Sequence, residues 1–308
     1  MRIAFLGTPE FALPTLEMLA GSRHTIAVFT QPDRPVGRHG KLTPPPVKTF
    51  ALQHGIPVYQ FERIRSEDGI NALASFAPDL MVTAAFGQLL SQANLDIPKH
   101  GCINVHGSLL PRYRGAAPIQ WAVINGEQET GITTMLTDIG MDTGDILLQQ
   151  ATTILPDETA GELYDRLAVM GAEVLKSTLH ALEAGTLTRI KQDESAATKC
   201  PMLKKEHGKI DFLRTAEQVH NLVRGVNPWP GAYALWNGEP VKIWKTARTA
   251  LANPGLPNGT CTGDAKQGLF VQCSDGLLEI LELQVPGGKR MDGKTFLRGK
   301  PLSGAVLQ

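Results

Sequence analysis

The first third of the sequence alternates short apolar runs with segments of helical spacing, and this alternation restricts the possible folds more than any other feature. The runs RIAFLG, HTIAVFTQ, DLMVTAAF and GCINVHG are rich in residues that favour strands. Helical periodicity is found in PEFALPTLEMLAG, which ends at Gly21, and in PVKTFALQHG, which ends at Gly55. Strands that alternate with helices form a parallel sheet with helices on both faces. We therefore predict an α/β fold with a Rossmann-like, mostly parallel sheet.

The next segments predict how this sheet ends. TGITTMLTD and GDILLQQATTIL both have strand character, and IGMDT between them is short enough for an antiparallel hairpin at the sheet edge. A long amphipathic helix follows, with Thr159 and Glu162 as the two residues of an N-terminal capping box and Gly185 at its end. We assign residues 1–185 to this first domain.

The pattern changes in the last third of the chain. Residues 186–207 are polar and lack strong periodicity, which predicts a linker. Beyond them, Asn237-Gly238 and Asp275-Gly276 each separate two apolar runs, as is typical of β-hairpins. Short strands joined by glycine turns, with no long helix, predict a small OB-like β-barrel over residues 208–308.

The composition excludes several classes of protein. The mean hydropathy of −0.09 is ordinary for a globular protein, and no run reaches 18 apolar residues, so we expect no membrane span. The first apolar run is too short for a signal peptide. The four cysteines are far apart and never form C-x-x-C. We therefore expect neither a disulfide framework nor a zinc site, and a cytoplasmic location.

The net charge of zero conceals an asymmetry along the chain. Residues 1–203 carry 16 basic and 21 acidic side chains, whereas residues 204–308 carry 14 and 9. The chain therefore combines an acidic body with a basic C-terminal third. Such a distribution indicates a polyanionic partner, although chance scatter of charges explains it as well.

Ligands of open parallel sheets bind beyond the carboxyl ends of the strands. The loops after RIAFLG, DLMVTAAF and GCINVHG are therefore the candidate binding loops. The first of them reads GTPEF and lacks the G-x-G-x-x-G pattern of dinucleotide-binding proteins. A nucleotide-dependent oxidoreductase is consequently disfavoured.

Two polar residues, Asn104 and His106, lie in the last of these runs. Residues two apart in a strand face the same side, so an amide and an imidazole project together and can stabilise an oxyanion and transfer a proton. A buried Asn–His hydrogen bond without a catalytic role is the structural alternative. The polar loop that follows, with Ser108, Pro111 and Arg114, favours a functional site because loops at strand ends more often carry function.

A carboxylate partner for His106 is available in TDIGMDTGDIL. Of the three aspartates there, Asp138 and Asp145 are explained by turn formation. Asp142 lies between two turn-like segments, where it can reach back over the sheet edge and favour the protonated form of His106. The pattern alone does not decide its role.

The stretches INVHGSLLPRYRGAAPIQWAVINGE and TGITTMLTDIGMDTGDIL together resemble the signature of the folate-dependent formyltransferases. The resemblance implies transfer of a formyl group from 10-formyltetrahydrofolate to an amine, without a metal. It assigns the catalytic roles to Asn104, His106 and Asp142. It also implies a folate pocket formed by Phe86, Gly87, Gln88, Leu89, Leu90, Ser108, Leu109, Leu110, Pro111 and Asp138.

The resemblance extends to FTQPDRPVGRHGKLTPPPVK and VNPWPGAYALWNGEPVKIWK, and fades after about residue 250. These segments are similar to the branch of the family whose acceptor is initiator methionyl-tRNA. The loop at 31–48 is basic and contains Gly37 and Gly40, which suits contact with phosphates. In that branch it engages the acceptor arm, and Arg38 matches its key arginine. The candidate tRNA-binding residues are Arg34, Arg38, Lys41, Lys204, Lys209, Lys245, Lys289 and Arg290.

The resemblance thus implies an enzyme that formylates the α-amino group of initiator methionyl-tRNA for translation initiation, and we expect it to be cytoplasmic and monomeric. A small-molecule formyltransferase or a formylfolate hydrolase uses the same three residues but has no need for the basic loop or the basic C-terminal barrel. A non-catalytic RNA-binding protein has no need for Asn104, His106 and Asp142.

Overall fold

The structure, a computed structural model, describes residues 1–37, 40–299 and 302–308. The chain divides into two compact units. Unit 1 consists of Met1–Gly115, Thr130–Thr152 and Tyr164–Lys199, and unit 2 of Ala116–Glu129, Thr153–Leu163 and Cys200–Gln308. The domain bounds of 1–185, 186–207 and 208–308 stay a prediction.

The first 200 residues contain eleven strands and six helices among the described residues. The strands are β1 (Arg2–Gly7), β2 (Thr25–Thr30), β3 (Arg34–Val36), β4 (Lys41–Thr43), β5 (Val58–Gln60), β6 (Leu80–Ala84), β7 (Cys102–His106), β8 (Arg114–Gly115), β9 (Glu129–Leu136), β10 (Ile146–Thr153) and β11 (Lys199–Cys200). The helices are α1 (Leu13–Ala20), α2 (Pro46–Gln53), α3 (Glu67–Phe76), α4 (Gln92–Leu95), α5 (Pro118–Ile124) and α6 (Ala160–Glu183).

Seven of these strands form one sheet in the order β10-β9-β7-β6-β1-β2-β5. The five strands from β7 to β5 pair in parallel, and β9 pairs with β7 in the antiparallel direction. All residues of β6 and all but the first of β1 are buried, which explains their continuous apolar sequences. The predicted mostly parallel sheet with helices is therefore confirmed.

Within the segment 31–48, which the sequence predicts to be a long loop, residues 34–36 and 41–43 are strands. Strands β3 and β4 pair as an antiparallel hairpin within it. The two ends of the segment are joined where Lys48 Nζ lies 2.9 Å from both carboxylate oxygens of Asp33 and 2.9 Å from Gln60 Oε1. Prolines and charged residues interrupt this segment, so its sequence lacks the alternating apolar pattern that predicts a β-hairpin. Arg38, at its predicted tip, lies outside the described residues.

Unit 2 contains a second sheet, built from β12 (Ala232–Trp236), β13 (Glu239–Arg248), β14 (Cys261–Asp264), β15 (Gly268–Gln272), β16 (Leu277–Gln284) and β17 (Met291–Asp292), with helices α7 (Ala216–Gly225) and α8 (Gly293–Gly299). The strands pair in antiparallel fashion in the order β12-β13-β16-β15-β14, and β17 pairs with β16. The predicted turn at Asn237-Gly238 is confirmed, because both residues have positive φ angles, 52° and 80°, and join β12 to β13.

The last residues of the chain connect the two edge strands of this sheet. Gln308 exchanges two backbone hydrogen bonds with Leu235 of β12, and Cys261 of β14 donates one to Ala305. These bonds occupy polar backbone groups that an open sheet leaves unpaired. They close the sheet in the manner of the small barrel that the sequence predicts.

The polar stretch at 186–207 contains short elements, and its assignment as a linker stays a prediction. The 3-10 turn Glu194–Ala196 lies in it, as does β11, which pairs with β8, and a second 3-10 turn, Lys205–Gly208, begins in it and ends one residue beyond it. Within the described residues, no helix has the length and apolar character needed to cross a membrane.

The N-terminus of α6 has the predicted capping box. Thr159 N and Oγ1 each donate to Glu162 Oε2 at 2.8 Å, and Glu162 N donates to Thr159 Oγ1 at 3.2 Å. These hydrogen bonds lower the pKa of Glu162. Because the carboxylate is the stabilised form, its contribution is complete above the ordinary pKa of about 4.3 and is lost as the pH falls through the lowered value.

We expect Thr159→Ala to lower the free energy of unfolding by about 1 kcal/mol at pH 7, since it removes the cap. The difference from the unmodified protein should shrink at acidic pH, as the pH falls through the lowered pKa of Glu162 and its carboxylate becomes protonated. Urea unfolding at neutral and acidic pH measures this. Ser177→Ala, at an exposed position within α6, is the control. Equal unfolding midpoints for T159A and the unmodified protein at pH 7 would contradict the cap.

Candidate active site

Asn104 and His106 lie in the second half of β7, two residues apart on the same side of the strand. Strand β6 runs parallel beside β7, and Thr83 of β6 is the register partner of Asn104. On the other side, β9 places Thr133 opposite His106. The site is thus built on strands of the sheet, which hold the two side chains more rigidly than a loop can.

The amide of Asn104 has one defined orientation. Thr83 Oγ1 donates a hydrogen bond of 2.9 Å to Asn104 Oδ1, which fixes the oxygen toward β6. The amide nitrogen donates to no group in the described part of the chain. Both of its N–H groups are therefore available to a ligand.

The two nitrogens of His106 have different roles. Nε2 lies 2.9 Å from the carbonyl oxygen of Tyr113, and because a carbonyl can only accept, Nε2 carries a hydrogen. Nδ1 lies 3.8 Å from Asp142 Oδ2, which is too far for a hydrogen bond but close for an ion pair. Any change in the charge of the imidazole therefore occurs at Nδ1, the nitrogen that faces the carboxylate.

Asp142 is held in an unusual backbone conformation, with a φ angle of 55°. Its carboxylate accepts a hydrogen bond of 2.8 Å from the backbone N–H of Gly115, and its side chain is 16% exposed. Two residues later, a Cβ atom on Gly144 would lie 1.6 Å from the carbonyl oxygen of Leu136. Only glycine fits there, so the loop can pass close to β9 and bring Asp142 to His106.

The first predicted folate-binding segment, residues 86–90, lies immediately after β6. The carbonyl of Phe86 accepts hydrogen bonds from Thr8 Oγ1 and Gln31 Nε2, at 3.0 and 3.1 Å. The side chain of Gln88 is bound to backbone groups of Ile64 and Phe61. Leu89, in contrast, is 65% exposed. The remaining members of the segment are Gly87, with a φ of 77°, and Leu90, which packs against the core of unit 1.

The second predicted folate-binding segment, residues 108–111, is largely buried. Ser108 is fully buried, and its hydroxyl donates to the carbonyl of Arg112 at 2.7 Å. Thr133 of β9 binds the carbonyl of Ser108 and the N–H of Leu110 through its hydroxyl. The segment is therefore a rigid wall of the site rather than a set of free polar side chains. Leu109 and Pro111 complete it.

Asp138 lies in the same loop as Asp142 but has a different environment. Its Oδ1 accepts hydrogen bonds from Gly140 N at 3.0 Å and Thr143 Oγ1 at 2.7 Å. These bonds form a turn, as the sequence predicts for this residue. Ile139 and Met141, on either side of Gly140, are 69% and 65% exposed.

Most of the predicted tRNA-binding residues have exposed side chains. In unit 1, Arg34 forms two hydrogen bonds with the carboxylate of Glu62, at 2.6 and 3.1 Å. In unit 2, Arg290 pairs with Glu282, and Lys204 lies 3.5 Å from Glu206. The others with exposed side chains are Lys41, Lys209, Lys245 and Lys289.

Sequence reasoning missed the groups that orient the three central residues. Thr83 was hidden inside an apolar run, although a lone polar residue near the end of a buried strand is a recognisable feature. The other two groups, the Tyr113 carbonyl and the Gly115 N–H, belong to the backbone. Backbone groups carry no residue-specific pattern, so only the fold reveals them.

The cysteine side chains lie in the protein core and are not exposed for reaction. Cys102, also in β7, is fully buried, and burial raises the pKa of its thiol to about 11, so it stays protonated at neutral pH. All four cysteines are buried. Across residues 1–37, 40–299 and 302–308, no cluster of three or more His, Cys, Asp or Glu side chains could hold a metal ion.

Comparison with known families identifies the class of protein that has this fold and site. Residues 1–179 match the formyl transferase family, and residues 202–301 match the formyl transferase C-terminal domain. The chain therefore belongs to the formyl transferase family and is an enzyme.

The curated relatives define a narrower group. The chain is 50% identical over 307 residues to the methionyl-tRNA formyltransferase of Ruminiclostridium cellulolyticum, covering 98% of this chain and 97% of the relative. It is 51% identical over 300 residues to the methionyl-tRNA formyltransferase of Geobacter sulfurreducens, covering 97% and 94%.

Solved structures with the same fold are more distant in sequence. The sugar 3N-formyl transferase WlaRD, crystallised with dTDP and 5-N-formyl-THF, superposes with a TM-score of 0.69 at 21% identity, covering 94% of this chain and 99% of that one. HypX from Aquifex aeolicus in complex with tetrahydrofolic acid gives a TM-score of 0.62 at 15% identity, covering 96% and 47%.

We expect Thr83→Val to lower kcat for formyl transfer about 5- to 30-fold, because Asn104 loses the bond that orients it, an effect of roughly 1–2 kcal/mol. The control is Thr15→Val, which removes a buried hydroxyl that has no hydrogen-bond partner among the described residues. Steady-state kinetics measures both. If both variants retain the unmodified kcat, the orienting role of Thr83 is wrong.

Proposed function

We propose that this chain transfers the formyl group of 10-formyltetrahydrofolate to the α-amino group of methionine on initiator methionyl-tRNA, for translation initiation. The observation that carries the proposal is the grouping of an oriented amide, an imidazole with one available nitrogen and a carboxylate at β7. The relatives named methionyl-tRNA formyltransferase support the choice of acceptor, since each is matched over nearly its whole length.

The chemical difficulty of the reaction lies in the formyl group rather than in the amine. A free α-amino group has a pKa of about 7.7–8.0, and a neighbouring ester lowers it, so much of the acceptor is neutral at pH 7. Its attack on the formyl carbon places negative charge on the formyl oxygen. The Asn104 N–H groups and a protonated His106 Nδ1 supply the hydrogen bonds that stabilise this charge.

Asp142 supports the reaction in two ways. Its carboxylate lies 3.8 Å from His106 Nδ1, where it can pair with a proton held at that nitrogen during the reaction. Its partial exposure also lets it assist proton transfer. As the new C–N bond forms and the bond to folate N10 breaks, the amine must lose a proton and N10 must gain one. Asp142 helps this proton move.

The chain also offers a surface that suits the folate. Leu89, Ile139 and Met141 expose large apolar side chains on the two loops predicted to bind it, a pattern suited to a flat aromatic ring. The polar backbone of Gly87 to Leu90 supplies hydrogen-bonding groups beside them. We propose that 10-formyltetrahydrofolate, which supplies the formyl group, binds along these two loops and the segment Ser108–Pro111.

Unit 2 carries a basic surface that suits RNA. Trp244 of β13 is half-buried, with Lys242 Nζ 5.1 Å and the Arg290 guanidinium 5.2 Å from its ring centre. Lys245 directly follows Trp244 in the sequence, Lys289 directly precedes Arg290, and both lysines are exposed. Clustered basic side chains bind the phosphates of a nucleic acid whatever its nucleotide sequence. We propose that this surface, together with the hairpin β3–β4 and the basic residues assigned above, binds tRNA.

A small-molecule formyltransferase is the second candidate, because structures of sugar-modifying relatives share the fold. The basic surface around Trp244 and the much higher identity to tRNA-modifying relatives favour the first candidate. We also propose that the enzyme acts in the cytoplasm as a monomer. Light scattering then gives a mass near 33.3 kDa, and twice that value contradicts the monomer.

The assay that tests the function contains purified protein, 10-formyltetrahydrofolate and initiator methionyl-tRNA. Formyl-methionine should form only with charged tRNA, and parallel reactions with free amines, amino sugars or water should be inactive. Turnover with a free amine or amino sugar, or hydrolysis of the formylfolate without tRNA, would contradict the proposed acceptor.

We expect Asn104→Ala or His106→Ala to lower kcat about 100- to 1,000-fold, since each removes a hydrogen bond that forms fully only in the transition state. The Kd for methionyl-tRNA should stay within about threefold, because neither residue is on the basic surface. Single-turnover kinetics and filter binding measure the two effects. Near-normal turnover of either variant would rule out the assignment.

We expect the double variant Lys245→Ala/Lys289→Ala to bind tRNA more weakly and to reduce the slope of log Kd against log salt by about 2, one for each lost phosphate contact. Lys266→Ala, an exposed lysine in the same unit, should change neither value. Filter binding across a salt series measures both variants. A slope equal to that of the unmodified protein would show that these lysines do not contact phosphate.

A further inference from the structure

We propose that Gln192, in the polar stretch after α6, is a positioning residue that holds the backbone of Asp142 in its active conformation. The inference rests on the proposed role of Asp142 in catalysis. Gln192 is 50 residues from Asp142 in sequence, and unit 1 brings the two together.

The Gln192 amide contacts the loop that carries Asp142 at two points. Nε2 donates hydrogen bonds of 2.8 Å to the carbonyl oxygens of Asp142 and Gly144. Carbonyl oxygens only accept hydrogen bonds, so the amide nitrogen must face the loop. A single side chain thereby fixes two peptide planes, one at Asp142 and one two residues later.

Arg114 fixes the other end of the same amide. Its Nε donates a bond of 3.0 Å to Gln192 Oε1, and its two terminal nitrogens donate to the carboxylate of Glu194 at 2.9 and 2.8 Å. The side chain of Arg114 is only 7% exposed, and the bonds to Glu194 raise the pKa of the guanidinium. Arg114 thus remains charged, and Gln192 can adopt only one orientation.

This support matters because Asp142 has a positive φ angle, a backbone conformation that L-residues other than glycine rarely adopt. Without external contacts, the loop would sample other conformations and move the carboxylate. The two hydrogen bonds from Gln192 oppose this change. They act on the backbone, whereas the N–H of Gly115 acts on the carboxylate.

Three consecutive residues thereby hold the His106–Asp142 pair. The carbonyl of Tyr113 binds His106 Nε2, the side chain of Arg114 orients Gln192, and the N–H of Gly115 binds the Asp142 carboxylate. A displacement of Asp142 alone would leave His106 in place but remove the carboxylate from Nδ1. The loss should therefore appear in the chemical step and not in the binding of the tRNA.

The variant Gln192→Glu isolates the donor function. A glutamate has the same shape and still accepts from Arg114, but it cannot donate to the two carbonyl oxygens and repels them. We expect kcat to fall about 10- to 100-fold while the KM for methionyl-tRNA stays within about threefold. Gln150→Glu, an exposed Gln in unit 1, adds the same charge and should have no effect.

A double-mutant cycle distinguishes positioning from general stabilisation. If Gln192 acts through Asp142, then Gln192→Glu added to Asp142→Asn should change kcat less than about twofold, since effects of residues that act as a unit are non-additive. Equal kcat values for Q192E and the unmodified enzyme would overturn the proposal. A full additional loss in the Asp142→Asn background would overturn it as well.

The same experiment separates this inference from the proposed function. An unmodified enzyme that does not formylate methionyl-tRNA refutes the function and, with it, this inference. An unmodified enzyme that does formylate methionyl-tRNA, with Q192E equally active, refutes only the role of Gln192. Circular dichroism of Q192E at the assay temperature should match the unmodified protein, because the substitution preserves the packing and the bond from Arg114, whereas thermal unfolding should occur at a lower temperature because two hydrogen bonds are lost.

Discussion

The hydrogen bond between His106 Nε2 and the carbonyl of Tyr113 decides what the rest of the site can do. It assigns a hydrogen to Nε2 permanently and leaves Nδ1 as the atom whose protonation changes. Asp142 faces that atom, and the Asn104 amide lies two residues earlier on the same strand face. If Nε2 were free, either nitrogen could carry the exchangeable proton, and the carboxylate would not control it.

The direction of the strands explains how these groups meet. Because β9 runs antiparallel to β7, the loop after Leu136 begins beside Cys102, where Thr137 donates a backbone hydrogen bond. The loop must then travel along β7 to bring Asp142 to His106. Gly144, with no room for a side chain, and the positive φ of Asp142 are the local features that make this path possible.

Sequence periodicity predicted the elements that local interactions determine. The apolar runs that become strands, the capping box at Thr159 and the turn at Asn237-Gly238 can each be recognised from residues within a few positions of each other, although the strands pair over much longer separations. The resemblance to the formyltransferases supplied the catalytic assignment of Asp142, which the pattern of turn residues left open. Its contact with His106 is a property of the fold.

The features that the sequence did not reveal depend on long-range contacts. Gln192 lies in a stretch without periodicity, and its importance comes from carbonyl groups about 50 residues away. The hairpin β3–β4 is similar: its closure by Lys48 and Asp33 joins residues separated by 15 positions across a proline-rich loop. Composition shows that such a segment is polar, but not which polar groups meet.

The most direct test of this account is the position of the hydrogen on His106. Long-range proton–nitrogen NMR of protein labelled with nitrogen-15 at histidine distinguishes the two neutral tautomers, and His106→Gln assigns the signal. The account predicts a hydrogen on Nε2 in the neutral ring, with a second hydrogen gained at Nδ1 on protonation. A neutral ring with its hydrogen on Nδ1 would contradict the bond to Tyr113 and the roles derived from it.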